Sequence, residues 1–128
     1  MAKNVNSLQF PFMRILPKQK DLYQVRIELL APYFHRVGLS LRATQQCLLG
    51  QKSQWFDQKR HLGDLFFRAY QHNRSQVLLI ISELRKIQQL AVREEAYEVA
   101  HNIHVFIRDI TQYIYICECY LQDGGLLY

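Results

Sequence analysis

The feature that most constrains the fold of this chain is the absence of proline from residue 33 onward, combined with a regular spacing of apolar residues. The three prolines, Pro11, Pro17 and Pro32, lie in the first quarter of the sequence. Because proline breaks helix interiors, a long proline-free stretch favours long helices over a β fold with many turns. Apolar residues in this stretch recur three and four positions apart, as on one helix face. The sequence therefore predicts an all-α protein.

Punctuating residues divide the chain into five predicted helices. The first begins near Lys18 and carries apolar residues around much of its circumference. Pro32 is expected to stop or kink it. The second occupies residues 33–49, with Ser40 as a candidate N-cap and Gly50 suited to its C-terminal end. Both helices belong to the first part of the predicted bundle.

The other three helices are separated by polar sequences. The third is capped by Ser53 and ends at residues 72–74, and Ser75 is the predicted cap of the fourth. Two apolar stripes follow: Val77, Ile80, Leu84, Ile87 and Ala91 in the fourth helix, and Ala96, Val99, Ile103, Phe106, Ile110, Tyr113, Cys117 and Tyr120 in the fifth. The stripes are out of phase, because extending the first would need an apolar residue where Glu94 stands. A break is therefore predicted within residues 92–95.

These elements predict one domain. We expect an antiparallel bundle of four to five helices over residues 18–123, preceded by an irregular N-terminal arm at residues 1–17 and followed by a short apolar tail at residues 124–128. Apolar residues make up 49% of the chain, enough for one core without disulfides or metal. The fifth helix is expected to form the spine, packed against the fourth, third and first.

Cysteine usage and hydropathy bear on the compartment. Three cysteines are an odd number, and the opening residues show no signal-peptide pattern, so we expect a reduced, cytoplasmic protein. The longest wholly apolar run, residues 77–81, is too short to cross a bilayer. Cys117 and Cys119 lack the spacing of a zinc site, and Cys47 and Cys117 are expected in the core. No cofactor is predicted.

The charge is unevenly distributed along the chain. Residues 1–76 carry twelve basic and four acidic residues, a net charge of +8, and residues 77–128 carry four and seven, a net charge of −3; together they account for the overall +5. A basic half is typical of proteins with an anionic partner such as nucleic acid or a membrane surface. Alternatively, the two halves attract each other within the fold or across a homodimer. Both interpretations stay open at this point.

One motif invites a metal hypothesis. Glu98 and His101 form a Glu-x-x-His pair, half of the ligand set of a di-iron bundle, with His104 one turn further on. Only one such motif is present. If Ala96 and Val99 mark the buried side of the fifth helix, both Glu98 and His101 should face water. The metal site is therefore disfavoured.

A second cluster lies on the third predicted helix and resembles an acid–base site. Its members are Asp57, Arg60, His61, Asp64 and Arg68. Their spacing of three and four matches a ladder of ion pairs along one helix surface, each contributing a few tenths of a kcal/mol. We interpret the cluster as structural.

The basic half also contains the best candidates for contacts with nucleic acid. They are Arg36, Arg42, Lys52, Lys59, Arg60, Arg68 and Arg74, interspersed with Trp55, Phe56, Phe67 and Tyr70. Basic side chains neutralise phosphates, and aromatic rings can stack on unpaired bases. Most of these rings also sit at core spacing, so the pattern is not specific.

The sequence contains no nucleophile elbow, P-loop or dinucleotide-binding fingerprint, and we expect a protein without catalytic activity. The favoured function is a helical interaction module, acting as a small subunit, adaptor or regulator in a larger assembly and binding a protein partner or a second copy of itself. The alternative is a nucleic-acid-binding protein, or a subunit of a nucleoprotein complex, that uses the basic half. A metal or redox bundle is the least favoured of the three.

Overall fold

The computed structural model describes residues 15–50 and 55–122, with side chains described from residue 60 onward in the second range. The described residues form six helices and no strand, so the all-α prediction is confirmed. The helices are α1 (Pro17–Glu28), α2 (Ala31–Arg36), α3 (Leu41–Leu49), α4 (Trp55–His72), α5 (Arg74–Arg93) and α6 (Tyr97–Gln122).

The second predicted helix is in fact two helices. The first helix, α1, ends at Glu28, shortly before Pro32, where a stop was predicted. Pro32 itself lies in the first turn of α2, where a helix needs no N–H donor and proline's fixed φ fits. Gly38, with φ of 69°, follows α2 in the left-handed region that glycine adopts without strain. Ser40 then caps α3, because its hydroxyl accepts a hydrogen bond from the Ala43 N–H at 3.1 Å. The Ser40 prediction is confirmed, as is Gly50 at the other end of α3.

The junction of α4 and α5 lies where it was predicted, but the predicted cap is wrong. Asn73 caps α5: its side-chain oxygen accepts a hydrogen bond from the Gln76 N–H at 3.3 Å. Ser75 lies in the first turn of α5, and its hydroxyl donates to the same oxygen at 3.1 Å. Asparagine and serine are both good caps, and asparagine stands one position before the first helical residue here. The predicted cap Ser53 lies outside the described residues.

The break between the last two helices is also confirmed. Helix α5 ends at Arg93 and α6 begins at Tyr97. Glu95 has φ of 60°, and the Ala96 N–H donates to the Ala91 carbonyl at 2.8 Å. This is the closing hydrogen bond of a helix that ends in a left-handed residue, a place where glycine is usual.

Replacement of this residue gives a first prediction. Because a side chain in the left-handed region costs roughly 1 kcal/mol, Glu95→Gly should raise the free energy of unfolding by about 0.5–1 kcal/mol despite the extra freedom of glycine in the unfolded chain. Urea denaturation measures the change. Glu95→Ala is the control, because it keeps the strained backbone and should not stabilise. A less stable Glu95→Gly protein would contradict the interpretation.

The core is centred on three phenylalanines from three helices. Phe34 of α2, Phe66 of α4 and Phe106 of α6 are each at most 1% exposed. The ring centroids of Phe34 and Phe66 are 6.3 Å apart, and those of Phe66 and Phe106 are 5.7 Å apart, both edge to face. This geometry is favourable for aromatic quadrupoles. Phe66 therefore connects α2 and α6 through α4.

Helix α6 packs against α5 and α4, as expected of the predicted spine, and also against α3, which was not among the expected partners. Helix α1, in contrast, lies mainly on α3 and α5, so the expected contact between the first and last helices is not a main one. Glu94, just after α5, holds α1 in place: it accepts a hydrogen bond from the Tyr23 hydroxyl and two from the Arg26 guanidinium, at 2.8 and 3.1 Å. This ion pair joins the basic half of the chain to the acidic half.

The hydrogen bond of Tyr23 predicts a dependence on alkaline pH. Burial and the bond to Glu94 raise the pKa of the Tyr23 hydroxyl from about 10 to about 12. Between these values the unfolded chain loses the tyrosine proton and the folded chain keeps it, so stability falls as pH rises from about 10 to 12. The difference in unfolding free energy between the wild type and Tyr23→Phe should therefore shrink over that range. Replacement of the exposed Tyr97 by phenylalanine is the control and should not reproduce this change.

Candidate interaction surfaces

The residues of the metal hypothesis are divided between interior and solvent. Glu98 is buried, with 8% of its surface exposed, so the prediction that it faces water is wrong. Helix α3 packs along this flank of α6: one turn on, the Asn102 amide donates to the Leu48 carbonyl at 2.9 Å. His101 and His104 are exposed, as predicted for His101. Among the described residues, no three histidine, cysteine or acidic side chains are grouped to hold a metal ion.

The described part of the acid–base cluster, from Arg60 onward, does not form the predicted ladder. Asp64 accepts a hydrogen bond from the Tyr113 hydroxyl of α6. No ion pair joins Asp64 to Arg60 or Arg68 among the described side chains, and Asp57 lies outside the described side chains. The hydrogen bond to Asp64, together with burial, raises the pKa of Tyr113 to about 12. The carboxylate therefore connects two helices.

The basic candidates are spread over several elements. Arg36 ends α2, Arg42 lies in the first turn of α3, Arg60 and Arg68 lie on α4, and Arg74 begins α5; all five are exposed. Lys52 lies outside the residues that the structure describes, and the side chains of Trp55, Phe56 and Lys59 lie outside the described side chains.

Two of these arginines lie against tyrosine rings. The Arg36 guanidinium is 5.8 Å from the centre of the Tyr33 ring, and that of Arg74 is 5.6 Å from the centre of the Tyr70 ring. Tyr70 is itself buried and Phe67 is half-buried. The described rings of the basic half therefore offer little open face for stacking on bases.

One groove lies where the α4–α5 junction meets the end of α6. Its volume is about 310 Å³, and it is lined by Phe67, Tyr70, Gln71, Arg74, Glu118, Leu121 and Gln122. The groove therefore borders the last turns of α6.

The last two turns of α6 expose apolar side chains, which we name the α6-end surface: Tyr115, Ile116, Tyr120 and Leu121. Their exposed fractions are 67%, 63%, 47% and 52%. Earlier on the same helix the apolar stripe is buried as far as Ile114, which is 5% exposed. The helix thus continues beyond the part of the core that covers it.

Helix α1 exposes a second apolar surface, which we name the α1 stripe: Leu22, Val25 and Leu29, spaced three and four apart. Their exposed fractions are 44%, 57% and 73%. Tyr23 and Ile27, on the opposite side of the helix, are buried. Because α1 carries apolar residues on both sides, its sequence did not show which side would be buried in the core.

The two surfaces lie far apart. Arg26 of α1 contacts Glu94, three residues before α6 begins, whereas the α6-end surface starts eighteen residues into α6. At 1.5 Å per helical residue, the α6-end surface begins about 27 Å along α6 from the N-terminal end of that helix, near which Glu94 holds Arg26. They therefore lie near opposite ends of α6.

Comparisons of the chain with protein-family models, with curated proteins and with solved structures find no match. Over the described ranges, no helix combines the length and the apolar content needed to cross a membrane.

Proposed function

We propose that this protein is a non-enzymatic interaction module, acting as an adaptor, small subunit or regulator in a larger assembly. The observation that carries the proposal is the exposure of two apolar surfaces near opposite ends of α6. Two separated surfaces suit an adaptor that binds a different protein at each end.

The composition of the α6-end surface supports a protein partner. Tyrosine is enriched in the buried centres of protein interfaces, where its ring adds contact area at little entropic cost. Within this surface, Ile116 and Tyr120 lie about 40° apart around the helix axis and form its contiguous part, while Tyr115 and Leu121 lie about 100° to either side of that pair.

Site-specific photo-crosslinking tests the proposal in the cells that express the protein. A photoreactive phenylalanine analogue replaces Ile116 in one variant and Leu29 in another. We expect each position to give cross-linked products, and the products from the two positions to contain different proteins identifiable by mass spectrometry. Both residues are more than 60% exposed, so their replacement should leave the fold intact.

Leu79 of α5 provides the matched control, because it is an exposed leucine outside both surfaces. The analogue at Leu79 should give no such product. A second check is the double variant Ile116→Ser, Tyr120→Ser, which should lose the partner at the α6 end while its helical circular dichroism is unchanged. If neither end gives a product above the control, the interaction function is rejected.

Binding of nucleic acid by the basic half is the second candidate function. It is favoured by one observation: among the described side chains, Arg36, Arg42, Arg60, Arg68 and Arg74 form no ion pair with a carboxylate, so they are available to phosphates. Binding of labelled oligonucleotides at low salt should weaken steeply as salt is added, and Arg60→Glu with Arg68→Glu should weaken it further. Lys86→Glu is the control, since Lys86 is paired with Glu83 at 2.8 Å. Failure of every single- and double-stranded form to bind at low salt would exclude this function.

A further inference from the structure

The α1 stripe has carboxylates along one edge. Asp21 and Glu28 are both exposed, and neither forms an ion pair with a described side chain. At about 100° per residue, both lie within about 60° of Val25 around the helix axis, on the same side of the stripe. They are seven residues apart, so they are separated by about 10 Å along α1. The stripe is therefore flanked by two negative charges that nothing described neutralises.

The opposite edge of the stripe carries a cation that is already engaged. Arg26 borders Leu22 on that side, and its guanidinium is bound by both oxygens of Glu94. Lys18 lies in line with the stripe, one turn before Leu22, so the acidic character begins after the first turn of α1. The middle and end of the stripe thus present apolar side chains and unpaired acids together.

From this arrangement we propose that the α1 stripe and its acidic edge bind an amphipathic helical segment of a partner protein, whose apolar face is bordered by lysine or arginine residues. The inference rests on the proposed interaction function and names the partner for one of its two surfaces. Side chains spaced three and four apart form a ridge that fits the groove of a second helix. Basic residues beside the partner's apolar face would lie opposite Asp21 and Glu28.

A second copy of this chain fits the surface less well. In an antiparallel pair of α1 helices, Asp21 and Glu28 of one copy would lie against the same residues of the other, which is repulsive. In a parallel pair, Asp21 would meet Arg26 of the second copy, but that guanidinium is held by Glu94. Charge complementarity therefore favours a basic helix over self-association.

Two synthetic peptides test the proposal. Both are stapled helices of equal length with leucine at positions i, i+3 and i+7; lysine flanks the leucines in one, and glutamate replaces lysine in the other. Each peptide is labelled and titrated with the full-length protein while fluorescence anisotropy is followed. We expect the lysine peptide to bind saturably and the glutamate peptide to bind at least about tenfold more weakly, with the difference decreasing as salt is added.

Variants separate the charged edge from the apolar stripe. The double variant Asp21→Lys, Glu28→Lys should reverse the preference between the peptides, whereas Leu29→Ser should weaken both by about tenfold or more. Leu78→Ser on α5 is the matched control, because Leu78 is 45% exposed and lies outside the stripe. It should leave binding unchanged.

Several outcomes would overturn the proposal. They are an absence of saturable binding, binding that ignores the charge reversal, and a dimer in sedimentation that Leu29→Ser dissociates. Binding that appears only after residues 1–14 are deleted would assign the stripe to the chain's own N-terminal segment and would also overturn it. If the peptides fail but photo-crosslinking at Leu29 and Ile116 identifies partners, the interaction function stands and only the basic-helix assignment is lost. Failure of both experiments rejects both.

Discussion

Phe66→Ala is expected to lower the free energy of unfolding by about 3–5 kcal/mol, the largest effect of any single substitution considered for this protein. The side chain is fully buried and contacts both Phe34 and Phe106 edge to face. Its truncation removes transfer free energy, leaves a cavity, and breaks two aromatic contacts at once. Because those contacts connect α2, α4 and α6, the loss should affect all three helices together.

Urea denaturation followed by circular dichroism measures this effect. Phe67→Ala is the matched control: its neighbouring side chain is only half-buried, so a smaller loss of about 1–2 kcal/mol is expected. If Phe66→Ala does not fold, Phe66→Leu keeps most of the volume and should cost about 1–2 kcal/mol. Equal losses for Phe66→Ala and Phe67→Ala would show that the Phe34–Phe66–Phe106 cluster is not the centre of the core.

Gly63→Val should destabilise the protein by about 2–3 kcal/mol, because valine would overpack the contact between α4 and α6. A Cβ atom at Gly63 would lie 3.1 Å from Cδ2 of the Tyr113 ring. The smaller Gly63→Ala change should be nearly neutral, since the gain in helix propensity of about 1 kcal/mol offsets a ring displacement of a few tenths of an ångström. A single methyl group can thus be accommodated, whereas the branched side chain cannot.

The hydrogen bond between Tyr113 and Asp64 gives this prediction a second readout. Displacement of the ring by Gly63→Val should break the bond, and the pKa of Tyr113 should fall from about 12 towards its ordinary value. An absorbance titration, compared with that of Tyr113→Phe, measures the change. In a Tyr113→Ala background the valine should cost less, because the ring that it meets is gone. An undiminished cost in that background would mean that Gly63 is required for another reason.

The proposed adaptor function and the stability of the core depend on different parts of the same helices. The apolar stripe of α6 is buried from Val99 to Ile114, and the apolar side chains of the α6-end surface become exposed beyond that point. Substitutions on the α6-end surface should therefore change partner binding with little effect on unfolding. The converse should hold for Phe66.

Local signals in the sequence were sufficient for much of the fold. Ser40 and Gly50 mark the ends of α3, and the phase shift between the last two apolar stripes located the break within residues 92–95, without a glycine or proline there. These features depend on neighbours within one or two turns of the chain, so they can be read from spacing alone. Ser75 was predicted as the cap of α5 in place of Asn73, because both residue types cap helices well and the two positions are only two residues apart.

The burial of Glu98 was predicted wrongly for a different reason. Periodicity along α6 gives the face that one neighbouring helix covers, but α3 packs along a second flank, where Asn102, one turn after Glu98, donates to Leu48. Likewise, Asp64 pairs across to Tyr113 rather than along α4. Contacts between residues distant in the chain leave no periodic signal in either partner.

By itself, the sequence determined that the chain is helical, where most helices begin and end, and which positions of α5 and α6 are apolar, because helix geometry repeats every few residues. Only the tertiary structure decided which side of α1 is buried. Both sides carry large apolar residues, and the side that is buried depends on how α1 packs against α3 and α5. The exposed side, with Leu22, Val25 and Leu29 along it and Asp21 and Glu28 at its edge, is the surface that we propose for the partner helix.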